Sequence, residues 1–315
     1  MRATDAVSAQ ARHRDSITVL SSGTEATCMR ATIAVILTVV LALLLGAPVQ
    51  GHDGLREQIT ALTAQLKREP SRADLYLRRG DLHRAAGDLA AARADLDRAA
   101  TLDAAQPGLP IARARLQLDE HHPSDAVASA TRALAAQPSN TAALRLRAQA
   151  YVQLHQRDRA VADLTRVIEL APAPDTVLER ARLLEEEPAE LDEALAGIED
   201  GLRRIGPVVT LQLEAIELER RMRRVDAALR RIDAVTAQAP RKEAWLARRG
   251  ALLEDANRTA DALAAYRSAL DAVTALPPHA RSTRATSALV QDIHHRIDRL
   301  TAGTTRPSAG RSPTR

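Results

Sequence analysis

From Gly54 to Leu300 the chain reads as a succession of amphipathic helices, with apolar residues recurring at spacings of three and four. Stepping by 34 residues from Ala92 reaches Ala126, Ala160, Ala194, Ala228 and Ala262. Four residues beyond these lie Leu96, Ala130, Leu164, Ile198, Ile232 and Tyr266, and three further lie Ala99, Ala133, Val167, Gly201, Val235 and Ala269. Offsets of four and three place the columns on one helical face. An earlier helix in each unit carries the same stripe, as Tyr76, Gly80 and His83 in the first and Leu144, Ala148 and Tyr151 in the third. Pro70, Pro138, Pro172 and Pro240 stand 68, 34 and 68 apart, where a residue that cannot continue a helix ends one unit and starts the next. The pattern predicts a helical hairpin repeated at a fixed period, with small residues where paired backbones approach.

This organisation resembles the tetratricopeptide repeat family. Its 34-residue unit has a large residue fourth, Gly or Ala eighth, a large residue eleventh, Ala twentieth, a bulky residue twenty-fourth, Ala twenty-seventh and Pro thirty-second. The first unit matches at Tyr76, Gly80, Gly87, Ala92, Leu96 and Ala99. The resemblance implies an all-α fold, an α-solenoid winding as a right-handed superhelix of six units, 73–106, 107–140, 141–174, 175–208, 209–242 and 243–276. Three units depart from the pattern. Pro110 takes the large position of the second, Glu185 a core position of the fourth, and Trp245 comes one residue early in the sixth. The fourth is therefore expected to be the distorted one. Flanking them, residues 52–72 hold a lead-in helix over 54–69. Residues 277–300 form a capping helix with Leu289, Ile293 and Ile297 on one stripe and Ser282 or Thr283 as N-cap. Residues 301–315, poor in apolar side chains, are expected to be disordered.

Upstream, residues 31–51 carry no charge, and Ile33 to Leu45 is continuously apolar apart from Thr38. Counted from Met29, with Arg30 before the apolar run and small Val49 and Gly51 before His52, residues 29–51 have the proportions of an export signal. Residues 1–28 then read as an over-extended N-terminus. An uncleaved anchor is the other reading, because 21 uncharged residues can just span a bilayer. Both put the body outside the cytoplasm, periplasmic or secreted in one case, anchored to the inner membrane and facing the periplasm in the other.

Composition narrows the function. About a fifth of the residues are Ala, which suits closely packed helices and excludes sandwiches and barrels. The net charge is +4 and the pI about 9.8. Residues 52–300 nevertheless hold equal numbers of basic and acidic side chains. With aromatics at 1%, stacking platforms for single-stranded nucleic acid are missing. No nucleic-acid partner is expected, and a membrane only through residues 31–51. The single Cys28 excludes an intrachain disulfide and a Cys-based metal site.

No catalytic constellation stands out. The nine His never occur four apart, and His121–His122 and His294–His295 diverge by about 100° on a helix. No phosphate-cradling glycine loop or nucleophile elbow is present, and the acidic run from Glu185 to Glu193 lacks the spacing of a calcium loop. The chain is read as non-enzymatic, without cofactor or metal. The resemblance implies that a partner protein or peptide lies in the concave groove, against the second, fifth, ninth, twelfth and thirteenth positions of each unit. Those positions put Arg115, Arg145 and Gln149 at the centre, Arg84 nearby, Gln153 further along, and Glu179 and Glu186 in the next unit. Arginines that fork to carboxylates suit an acidic segment or a C-terminal carboxylate. The family's carboxylate clamp needs Lys and Asn where this chain has Leu77 and Asp81, or Arg145 and Gln149. The same charges also serve to keep an Ala-rich rod in solution.

Overall fold

The computed structural model describes residues 50–304. Residues 1–49 and 305–315, with almost all of the expected export segment, lie outside them. Among the described residues the chain forms fifteen α-helices, one 3₁₀ turn and no strand. The first helix, α1 (Gln50–Arg68), belongs to a unit of its own and begins two residues upstream of the expected cleavage point before His52.

In the second unit, from Glu69 onward, six pairs of helices follow one another. They are α2 (Ala73–Ala85) with α3 (Leu89–Leu102), α4 (Leu109–Asp119) with α5 (Pro123–Ala136), and α6 (Thr141–Gln153) with α7 (Arg157–Leu170). Then come α8 (Pro174–Leu184) with α9 (Leu191–Ile205), α10 (Val209–Arg221) with α11 (Val225–Gln238), and α12 (Glu243–Asp255) with α13 (Thr259–Thr274). Each first helix packs on its own second helix, and each second helix on the first helix of the next pair. That nearest-neighbour stacking makes this unit an α-solenoid.

The 34-residue Ala column is where the hairpins close. Ala92, Ala126, Ala160, Ala194, Ala228 and Ala262 are all at 0% exposure. In the first, second, third and sixth units the facing position on the first helix, Gly80, Ala114, Ala148 and Gly250, is small for the same reason, whereas in the fifth Ile216 shares a buried cluster with Ala228. A Cβ on Gly80 would come within 3.1 Å of Leu96 and 3.3 Å of the Ala92 carbonyl. Polar clasps reinforce two of these hairpins. Arg79 forks to Asp95 with bonds of 2.8 and 2.6 Å, and Arg147 repeats the contact with Asp163 at 2.8 and 2.7 Å. In the fifth unit the column reverses sign, and Arg231 bonds Glu219 of its own hairpin and Glu199 of the preceding one.

Five of the six hairpin turns are built alike. Gly87, His121, His155, Arg223 and Asn257, each 34 or 68 residues from the last, have φ between 55° and 82°. In each the following N–H bonds the carbonyl five residues back, as Asp88 to His83 and Arg258 to Leu253. This is the six-to-one closure of a helix ending in a left-handed residue.

The fourth unit breaks the pattern in a definite way. Its first helix sits one residue early, so Arg182 at the small eighth position is exposed while buried Ala181 joins the cluster with Ile198. Leu184 then fills the core site where the repeat register puts Glu185, and Glu185 becomes the C-cap. A 3₁₀ turn, Pro188–Glu190, replaces the left-handed turn and restores the phase before Ala194. In the second unit Pro110 occupies the first turn of α4, where its missing N–H has no helical partner to lose, and Leu109 is buried beside it.

After a short helix α14 (Pro278–Arg281), α15 (Arg284–Thr304) covers the end of the sixth unit. Thr283 is its cap, accepting from the Thr286 N–H at 3.2 Å, while Ser282 bonds back to His279 O. Ile293 is fully buried, and Leu289, Ile297 and Leu300 pack on the cluster around Tyr266. The helix runs four residues beyond Leu300, so residues 301–304 of the expected tail are helical, with Thr301 bonded to the Ile297 carbonyl.

Gly250 offers the sharpest test of the close approach. A Cβ there would lie 2.6 Å from the ring of Tyr266, whose hydroxyl is fixed by donating to Glu254 at 2.8 Å. Gly250→Ala should lower unfolding free energy by about 1–3 kcal/mol in a urea titration, although Ala is intrinsically the better helix former by about 1 kcal/mol. Equal or higher stability of the variant would refute the packing account.

Candidate partner-binding surface

The first helices α2, α4, α6, α8, α10 and α12 form a row, with direct contact between α2 and α4, α4 and α6, and α8 and α10. The seven residues singled out from the repeat positions lie on or beside it. Arg84 Nη1 donates to Asp119 Oδ2 of the next unit at 2.8 Å, and Arg220 reaches Asp255 Oδ2 at 3.3 Å across the equivalent step. Arg145 Nη2 stands 3.6 Å from Glu179 Oε2. These arginines therefore meet carboxylates of neighbouring units and help to hold the row together. Glu186 lies beyond the end of α8, exposed in the turn.

Two features of the row remain open. Arg115, half-buried on α4, makes no ion pair among the described residues, and on α6 Gln149 and Gln153 are exposed around Val152, itself 39% exposed. Val152 was passed over in the sequence although it occupies the twelfth position of the third unit, one of those the family uses. Its apolar character hid it among core candidates.

A second feature missed in the sequence is the junction of the fourth and fifth units. Arg221 Nη1 donates to Glu185 Oε2 at 2.6 Å and its Nη2 to the Glu185 carbonyl at 3.0 Å. The other carboxylate oxygen of Glu185 is buried without a partner among the described residues. Burial, followed by the nearby Glu214 carboxylate, pushes the Glu185 carboxyl up to about 7, against the pull of Arg221 and Arg182. Glu214 carried no sequence signal because it sits outside the repeat's marked positions.

Among the described residues no three His, Cys, Asp or Glu side chains converge as metal ligands, and no helix is long and apolar enough to cross a membrane. His83 stands between Asp88 and Asp95, at 3.9 and 4.0 Å.

A carboxyl raised in the folded state binds its proton more tightly there than in the unfolded chain. Its stabilising share is full below the ordinary value of 4.5 and is lost as pH rises through about 7. Glu214→Gln removes the repulsion, and should raise stability at pH 8 by about 1–2 kcal/mol with little change at pH 5, read from urea titrations at the two pH values. An equal effect at both would show that the two carboxylates do not interact.

A family model for the tetratricopeptide repeat matches residues 59–110, 111–173 and 213–277, more than half of the chain. The stretch it leaves out between them holds the offset fourth unit. No curated protein matches the chain. Among solved structures, the C-terminal part of a repeat-containing protein of this kind from Cytophaga hutchinsonii is similar at 12% identity and a TM-score of 0.58, covering 75% of this chain and 95% of its own. A tetratricopeptide repeat protein of Parabacteroides merdae gives 18% identity and 0.45 over 76% and 92%, and a thermophilic one of Thermus thermophilus 22% and 0.38 over 58% and 99%. With the period, the buried Ala column and the repeated turn in place, the chain belongs to the tetratricopeptide repeat family.

Proposed function

We propose that this protein is a non-enzymatic scaffold or assembly factor acting outside the cytoplasm, and that it holds a partner chain along the row of first helices. Repeats of this family act as protein-interaction scaffolds. The observation that carries the reading is the patch on α4 and α6, where Arg115, Gln149, Val152 and Gln153 remain unengaged while the charges on either side are paired within the row. An extended partner segment would set an apolar side chain on Val152, use the two glutamines for its backbone, and bring a carboxylate to Arg115. The location outside the cytoplasm rests on the uncharged residues 31–51. A membrane-tethered form of the same scaffold, or an accessory subunit of an envelope complex, fits the same segment if it is retained.

Arg115 is the cleaner residue to change, because reversing Arg145 would also set two acids together at Glu179. With the partner captured on the tagged full chain, Arg115→Glu should weaken binding about tenfold or more, the loss of one charge-assisted bond with repulsion in its place. Unchanged binding would remove the patch from the interface. N-terminal sequencing of the mature protein should begin near His52, and finding residues 2–28 there would overturn the export reading.

A further inference from the structure

Across the junction of the fifth and sixth units lies a cavity of about 480 Å³. It opens where the fifth unit departs from the repeat. Gln212 holds the fourth position, which Tyr76, Leu144 and Leu246 fill with bulk in other units, and its carboxamide oxygen stands 3.5 Å from Arg231 Nη1. The walls are Pro207 and Val209 at the start of α10, Val235 near the end of α11, and Pro240 and Trp245 at the start of α12. Val209 is 54% exposed, the most exposed large apolar residue described. The volume falls in the range of small-ligand sites, which combine apolar walls with a few placed polar groups.

One of those polar groups is charged. Arg241 lines the cavity with its side chain half exposed, and its Nε and Nη2 are held by Glu243 at 2.6 Å and Thr286 at 3.1 Å. Those bonds fix the guanidinium plane, and Nη1 donates to nothing among the described residues. Lys242, next in the chain, makes no ion pair among the described residues, so the single charge of Glu243 leaves this edge net positive. The two helices that begin here, α10 and α12, have no side-chain cap, and their first N–H groups add to the same sign. An anion is the matching charge.

The rest of the occupant follows from what the walls can satisfy. A peptide backbone brings an N–H and a C=O with every residue, and each one buried without a partner costs free energy. Past their first turns the helices around the cavity bond their own backbone groups, and Gln212 and Gln238 are the only side-chain amides in its lining. A hydrocarbon tail brings no groups of that kind. We propose that the cleft is a binding site for a small amphiphilic acid, a single apolar chain laid against Val209, Val235 and Trp245 with its carboxylate at Arg241 Nη1. This site does not depend on the Arg115 patch.

Trp245 is the single tryptophan of the chain and reports on the site directly. The full-length protein is titrated at neutral pH with decanoate, decanol and decyltrimethylammonium, each below micelle formation. Decanoate should shift Trp245 emission to the blue and saturate, with the alcohol about tenfold weaker and the cation weaker still. Shortening the acid to octanoate should weaken binding by about fourfold for each methylene withdrawn from the cleft. Ala234→Leu fills the cavity from an exposed position on α11 with a good helix former, so the fold survives while decanoate binding falls about tenfold or more. Arg241→Gln with Glu243→Gln removes both charges together and should reduce the acid to the affinity of the alcohol. No saturable emission change, a cation bound as tightly as the acid, or undiminished binding to Ala234→Leu would each overturn the proposal. A preference for the acid that survives the double variant would overturn the place given to the carboxylate.

Discussion

Two paired helices can come no closer than their smallest facing side chains allow, and here that limit is set six times by the same alanine column. In four of the units a Gly or Ala also stands at the facing eighth position, while in the fifth the alanine is met by Ile216. The bulkier members of the stripe, Leu96, Leu164, Ile198, Ile232 and Tyr266, are buried beside them. Because the contact recurs every 34 residues, each hairpin presents the same ends to its neighbours, and the solenoid follows from repetition of one local geometry.

A core so rich in Ala yields less apolar area per residue than one of Leu and Phe, and the hydrophobic contribution falls in proportion. The arginines compensate in part. Forked bonds of Arg79 to Asp95 and Arg147 to Asp163 join the two helices of a hairpin, and Arg231 reaches both its own hairpin and the previous one. Removing one partner would strand the other in a half-buried site, which is costlier than replacing both. Along the row of first helices the same chemistry runs between units, so a surface rich in charge has little left to offer a ligand outside a few positions.

The period, the Ala column and the helical stripes were legible in the sequence because packing demands the same residue size at the same phase. The turns were partly legible. Gly87 marks the first of them, and His121 and His155 at the same phase adopt its left-handed conformation without being glycine. What stayed hidden depends on the pairing of side chains across helices. Arg145 read as a groove cation, yet Glu179 lies against it, and Glu185 read as a flaw in the core until a one-residue shift brought Leu184 there. Period counting fixes columns but leaves free the small slip of a helix along its axis, and that slip decides which neighbouring residue is buried. Trp245, one residue early in its unit, read as an irregularity and is a wall of the apolar cleft.

In a linear array, the cost of separating folded from unfolded repeats is paid only at the boundary between them. The fourth unit breaks the repetition, yet ion pairs tie it to both neighbours, Arg157 to Glu190 on one side and Arg221 to Glu185 and Arg231 to Glu199 on the other. Its first helix is offset by one residue, and a 3₁₀ turn stands where the other turns carry the six-to-one bond. A one-residue slip is thus absorbed within a single hairpin, and the register of the units before and after it is kept, as the buried Ala160 and Ala228 on either side record. An array of this kind can take up an irregular unit without passing the error along, because each hairpin answers only to its immediate neighbours.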